Sequence, residues 1–255
     1  MKNIYILISI LFCNHVLSFD KKFADFTSEY DQSDFIAKVK ITNIELSTND
    51  KGYYDVSIEI LSLFKGKKNK KFKISYTPYD DYGLDFTKNS IWLLFASFDD
   101  KNVLNREFSY GSIQIDRKMN SKEYPNIEDA FKEKIDRKIA LLNFLKKKNI
   151  KKINKYNLQI SYKDSCKYDL KNYKISNGKF TVFKLQINRD LSIKNIKVLK
   201  EFGNVLLSKE MITCFKKMIK IDNSKIKSIE TKTDFYLIYY YYKDGEKSFV
   251  SEVML

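Results

Sequence analysis

Phe35, Ala37, Val39 and Ile41 alternate with polar residues, the period of a half-buried strand. After the turn-like Asn49-Asp50-Lys51-Gly52, the same alternation returns at Tyr54, Val56, Ile58 and Ile60. Gly66, inside the lysine-rich stretch 65–71, turns the chain toward a third strand with Phe72, Ile74 and Tyr76 on one face. Residues 91–98 (IWLLFASF) are apolar almost throughout, which suits a fully buried strand and puts Trp92 in a core. Shorter strands are predicted at 103–108 and 112–115. Short strands at this spacing predict a small closed or partly closed barrel.

Pro125 then opens a helical pattern, with Ile127, Phe131, Ile135, Ile139, Leu142 and Leu145 recurring at three- and four-residue intervals. Lys146, Lys147 and Lys148 at its end complement the helix dipole. A single apolar stripe implies packing against a neighbour. From Lys152 onward the pattern is again that of strands, at 156–162, at 180–187 after an Asn177-Gly178 turn, and around Ile193, Ile196 and Val198. Ser208 is the expected N-cap of a helix bearing Met211, Ile212, Phe215, Met218 and Ile219. Residues 235–242 (FYLIYYYY) form a long strand, closed by a turn at 243–245 before a last one at 249–255.

The chain opens with Met1-Lys2, an apolar run at 4–12 and a small residue at Ser18, in the order of a secretory signal peptide. Cleavage is expected after Ser18, with Phe19 as the mature start. The apolar run is shorter than the ~20 residues a span needs. No transmembrane helix is expected in the mature chain, which is read as exported, periplasmic or secreted.

The formal charge is +15, and cleavage removes one lysine from it. Only four of the 47 basic residues are arginines, at 106, 117, 137 and 189, and Arg is the side chain that reads phosphates bidentately. Nucleic acid is accordingly a disfavoured partner. The sole histidine, His15, lies in the signal, so the mature chain lacks the base of Ser-His-Asp and Cys-His catalysis and the commonest zinc ligand. Ser62-x-x-Lys65 and Ser176-x-x-Lys179 match a Ser-Lys spacing, but residues three apart on a strand point to opposite faces. No enzyme activity, metal or cofactor is expected. Asp80, Asp81 and Asp85 lack the EF-hand order and read as a polar turn.

Lys65, Lys67, Lys68, Lys70 and Lys71 are the densest basic cluster: a contact patch for an acidic partner, or a solvated loop. Tyr239 to Tyr242 suit either a stacking platform or a packed strand under a helix. Cys166 and Cys214 are the only cysteines left after cleavage. Export places them where disulfides persist, so they form one bridge or stay two half-buried thiols.

The ordered set Asp34-Phe35-Ile36-Ala37-Lys38-Val39, Leu63-Phe64-Lys65-Gly66, Tyr82-Gly83-Leu84 and Ile91-Trp92-Leu93-Leu94-Phe95 resembles the netrin-like OB-fold domain of tissue inhibitors of metalloproteinases, in its bacterial secreted form. The resemblance implies an OB-like barrel over about residues 29–117. Inhibitors of that family chelate protease zinc through an N-terminal cysteine, whereas Phe19 stands at the expected start here. The stretch from Gly178-Lys179-Phe180-Thr181-Val182 to Ile196-Lys197-Val198-Leu199-Lys200 resembles the TonB C-terminal fold, over roughly 155–243.

The expected fold is mainly β with an α+β second domain: an OB-like barrel, a connecting amphipathic helix, then an antiparallel sheet with a packed helix. The expected division is signal peptide 1–18, barrel 19–117, helical connector 118–151 and α+β domain 152–255. The expected function is a non-catalytic interaction protein of a bacterial cell envelope, its partner another envelope or extracellular protein. The alternatives are a metalloproteinase-inhibitor-like protein and a binder of polyanions (glycan or nucleic acid) through the basic barrel.

Overall fold

The structure, a computed structural model, describes residues 26–75, 86–100, 103–105, 111–119, 122, 124–162, 170, 172–175, 180–222, 226–244 and 247–252. The signal segment, Cys166, the turns at 177–178 and 245, and Asp80, Asp81 and Asp85 lie outside these residues, as does the Ser176/Lys179 pair.

Five strands close into a barrel: β1 (Phe35–Leu46), β2 (Tyr53–Lys65), β3 (Lys71–Ser75), β4 (Ile91–Phe98) and β5 (Leu104–Asn105). Their order is β1-β2-β3-β5-β4, and β4 pairs back onto β1, an arrangement compatible with an OB-like fold. Closure rests on one parallel pair, Lys73 opposite Asn105, while the other ladders are antiparallel. Three register shifts in the β1–β2 ladder allow two long strands to bend around so small a barrel. A short β6 (Ile113–Gln114) adds to β4.

The two-residue period sorts the side chains of β1 and β4 onto opposite faces. Phe35, Ala37, Val39 and Ile41 join Trp92, Leu94 and Ala96 inside the barrel, with Val56, Ile58, Phe72 and Leu104. There Phe86 stacks on Trp92, ring centroids 4.1 Å apart, and the indole N–H donates to Ser90 Oγ at 2.8 Å. Ile36, Leu93 and Phe95 point outward into a second core. Strand β4 is therefore covered on both faces, the reason its sequence is apolar without alternation.

The second core surrounds helix α2 (Ile127–Lys147), which follows α1 (Phe26–Gln32) in the chain. Leu141, Leu142 and Leu145 of α2 meet Phe26 and Tyr30 of α1 and the outward residues of the barrel. They also meet Phe180 and Val182 of β8 (Phe180–Ile187) and Ile238 and Tyr240 of β11 (Thr233–Asp244). The expected connector is thus a shared layer, and its core draws on residues from both sides of the boundaries at 117 and 151.

Strands β8 and β11 belong to an antiparallel sheet of order β12-β11-β8-β9, with β9 at Ile193–Lys200 and β12 at Lys247–Glu252. Its far face carries helix α3 (Val205–Met218), where Leu207, Met211 and Phe215 pack on Phe183, Leu185, Leu237, Tyr239 and Tyr241. Directly after that helix, β10 (Ile219–Asp222) pairs antiparallel with β7 (Gln159–Tyr162), which precedes β8 in the chain. The result is mainly β, with an α+β second part.

Several local details differ from the sequence pattern. The α3 cap is Asn204, whose side chain accepts from Leu207 N at 3.0 Å, one turn before the expected Ser208. Ser208 is buried within the helix, its hydroxyl without a hydrogen-bond partner among the described residues. Strand β7 begins at Gln159 rather than 156, because Asn154 and Leu158 exchange two side-chain hydrogen bonds and Asn157 takes φ 50° between them. Ile219 ends α3 and starts β10. Helix α1 was not expected.

Candidate functional site

Gly66 ends β2 with φ +85°, in the left-handed region, and a Cβ there would lie 2.2 Å from Asp34 O. The turn at this position therefore requires glycine, and it sends residues 67–70 back alongside β2. Lys71 pairs opposite Ser57, and Ile58 N donates to Lys70 O at 2.9 Å. Lys67, Lys68, Lys70 and Lys71 are exposed along this return.

Lys65 behaves differently from its four neighbours. It is half-buried, its ammonium lies 4.4 Å from the centre of the Tyr30 ring, and it donates to the Tyr30 carbonyl. Burial, and secondarily Lys152, pulls its pKa down to about 8, against the opposing pull of Asp31 and Asp34. Lys65 therefore serves the packing of α1 on the barrel.

Asp31 organises this junction. Its carboxylate accepts from the backbone N–H of Ile153 and of Asn154, both at 2.6 Å, and its carbonyl accepts from Lys152. Tyr30 adds a hydroxyl bond to Ile150 O. Burial raises the Asp31 pKa, while the two amides, Lys65 and Lys152 act in the opposite direction. The end of α1 is thereby tied to the segment that follows α2.

That tie brings a second lysine run to the first. Residues 65–71 read KGKKNKK and residues 146–152 read KKKNIKK, each with five lysines in seven. At the end of α2, Asn149 takes φ 52° and Ile150 is buried, leaving Lys146, Lys147, Lys148, Lys151 and Lys152 exposed. Lys146 Nζ reaches the barrel and donates to Leu63 O at 2.7 Å. Lys146 and Lys152 of the second run thus reach the end of β2 where the first run begins, some eighty residues earlier in the sequence. The sequence pattern assigned Lys146, Lys147 and Lys148 to the helix dipole alone, although the second run has the same lysine density as the first.

A separate cleft of ≈ 310 Å³ lies between the first half of α2 and the barrel. Ile115, Met119, Phe131, Ile135 and Ile139 form its apolar lining, and Lys38, Arg117, Lys132, Glu128 and Asp136 its charged one. Nearby, Lys138 is only 6% exposed, and burial followed by Lys134 lowers its pKa to about 8, opposed by the buried Glu29.

Of the remaining sequence candidates, Cys214 is disulfide-bonded. Tyr239 and Tyr241 pack under α3, while Tyr240 and Tyr242 pack on the α2 side, so both ring sets serve cores. Ser62 is exposed on β2 while the Lys65 ammonium is engaged at Tyr30. Among the described residues no group of three or more Cys, His, Asp or Glu is placed to hold a metal ion. No helix among them is long and apolar enough to cross a membrane. No protein-family model matches this chain, and no curated protein sequence does either.

Proposed function

We propose that this chain is an exported, non-catalytic binding protein that engages an anionic partner through the face built by Lys67, Lys68, Lys70, Lys71, Lys147, Lys148 and Lys151. The observation that carries this reading is the joining of the two lysine runs by the Asp31 junction and the Lys146–Leu63 bond. These seven ammonium groups are exposed on adjoining segments, where one bound polyanion would meet several of them at once. The export signal and the netrin-like and TonB-like resemblances make a bacterial envelope or its surroundings the proposed setting. The netrin-like kinship of the barrel belongs to the same proposal.

Heparin, a soluble polyanion, is the direct probe. The processed chain is expected to stay bound at about 0.15 M salt, where weak non-specific attraction is screened. Lys67→Glu/Lys68→Glu should release it, whereas Lys194→Glu/Lys197→Glu on β9, with the same change in net charge, should not. Equal loss in both variants would show a response to total charge and remove the face from consideration.

A further inference from the structure

Resting on that reading, we infer that the anionic partner is the headgroup surface of a lipid bilayer rather than a nucleic acid or a single folded protein. The composition of the two runs is the first argument. Neither contains an arginine, the side chain that grips individual phosphates in a bidentate fork. Neither contains an aromatic residue on which a base would stack, the usual partner of basic residues in single-strand binding. What they present is a row of hydrated point charges, the composition of polybasic segments held at anionic membranes.

Shape gives the second argument. The lysines stand on a strand return and on a helix end, and the ≈ 310 Å³ cleft is lined by other residues. The exposed ammonium groups therefore lie outside that cleft, on segments open to solvent. A diffuse anionic surface needs no recess, since its attraction to each lysine is nearly additive. At about 1 kcal/mol per lysine near such a surface, each contributes roughly fivefold in partitioning. Single substitutions are then weak, and multiple ones compound.

Cosedimentation of the processed chain with vesicles tests this, comparing phosphatidylcholine alone with phosphatidylcholine carrying about 30% phosphatidylglycerol at about 0.15 M salt. Binding is expected only to the anionic vesicles. Lys67→Gln/Lys68→Gln/Lys147→Gln/Lys148→Gln should weaken it by about 10²- to 10³-fold. The control Lys194→Gln/Lys197→Gln/Lys216→Gln/Lys217→Gln, drawn from exposed lysines of β9 and α3, should retain most of it. Trp92 emission confirms that each variant is folded. Retention on heparin without vesicle binding would overturn the lipid assignment and leave the polyanion reading standing. Failure on both would overturn both. Equal binding to neutral vesicles, or equal loss in the control variant, would also overturn the lipid assignment.

Discussion

Asp31 satisfies two buried-side amides at once, and hydrogen bonds to a charged acceptor contribute about 1.5–3 kcal/mol each. Asp31→Ala leaves the N–H groups of Ile153 and Asn154 without that acceptor and removes the anion between Lys65 and Lys152. A loss of about 2–4 kcal/mol is expected in urea unfolding followed by Trp92 fluorescence. Asp31→Asn, which keeps one acceptor oxygen, should lose less; an unchanged midpoint in Asp31→Ala would show the junction to be ornamental. The lysines and tyrosines of this region also set a pH profile. Lys65 and Lys138 have pKa values lowered to about 8, chiefly by burial, so the folded chain binds fewer protons than the unfolded one between about pH 8 and 10.5. Stability therefore rises through that interval. Tyr30 and Tyr240 have pKa values raised by burial, and their contribution is present below about pH 10 and lost above it. Unfolding at raised ionic strength should show a stability maximum near pH 10, and a flat profile from pH 7.5 to 10 would contradict the assignment. Lys138 was legible in principle: it stands three residues after Ile135 and four before Leu142, on the apolar side of the helix. Asp31 was not, since its partners lie more than 120 residues away in the chain.

Helix α2 has a barrel on one side and a sheet on the other, and this decides how the molecule should unfold. Leu141 is fully buried in the core they share, and its truncation to Ala is expected to cost about 2–5 kcal/mol. Because the core belongs to both sides, Trp92 fluorescence, which reports the barrel, should fall in one transition with the far-ultraviolet circular dichroism of the whole chain. Leu141→Ala should move both midpoints together; separate transitions would show that the barrel and the sheet are stable independently. Periodicity revealed that α2 buries a face but not how many neighbours cover it. The clue lay in the width of the stripe, since Leu141 beside Leu142 broadens it beyond one packing surface. Strands β1, β2, β4, β8, β9 and β11 were clear because alternation or continuous burial extends over many residues. Helix α1 was not, because Phe26 and Tyr30 give it only two buried apolar positions, too few for a period to register. The closing pair between β3 and β5 left no local trace at all.

At the scale of the whole molecule, neither the lysine face nor the sulfur chemistry follows from any one segment. The two lysine runs are each visible in the sequence, but only the fold sets them side by side. Cys214 presents the complementary case: its bonded state is shown, while its partner is assigned on the proposed export. The chain has three cysteines, and Cys13 lies within the segment expected to be removed with the signal. Processing after Ser18 then leaves Cys166 as the partner of Cys214, and we propose that pairing. Cys214 sits on α3 against the core between that helix and its sheet, so the bond would fasten that helix to the segment following β7. It closes a loop of about fifty residues, which in the chain-entropy model contributes ~4 kcal/mol before any strain is subtracted. Mass spectrometry of the exported protein should therefore find a chain starting at Phe19 and a Cys166–Cys214 cross-linked peptide. Denatured without reductant, it should expose no reactive thiol, and reduction should lower its melting temperature by about 8–16 °C, at roughly 2–4 °C per kcal/mol for a chain of this size. Two labelled thiols per unreduced chain would refute the bridge, and a mature species retaining Met1 and Cys13 would remove the argument that assigns it.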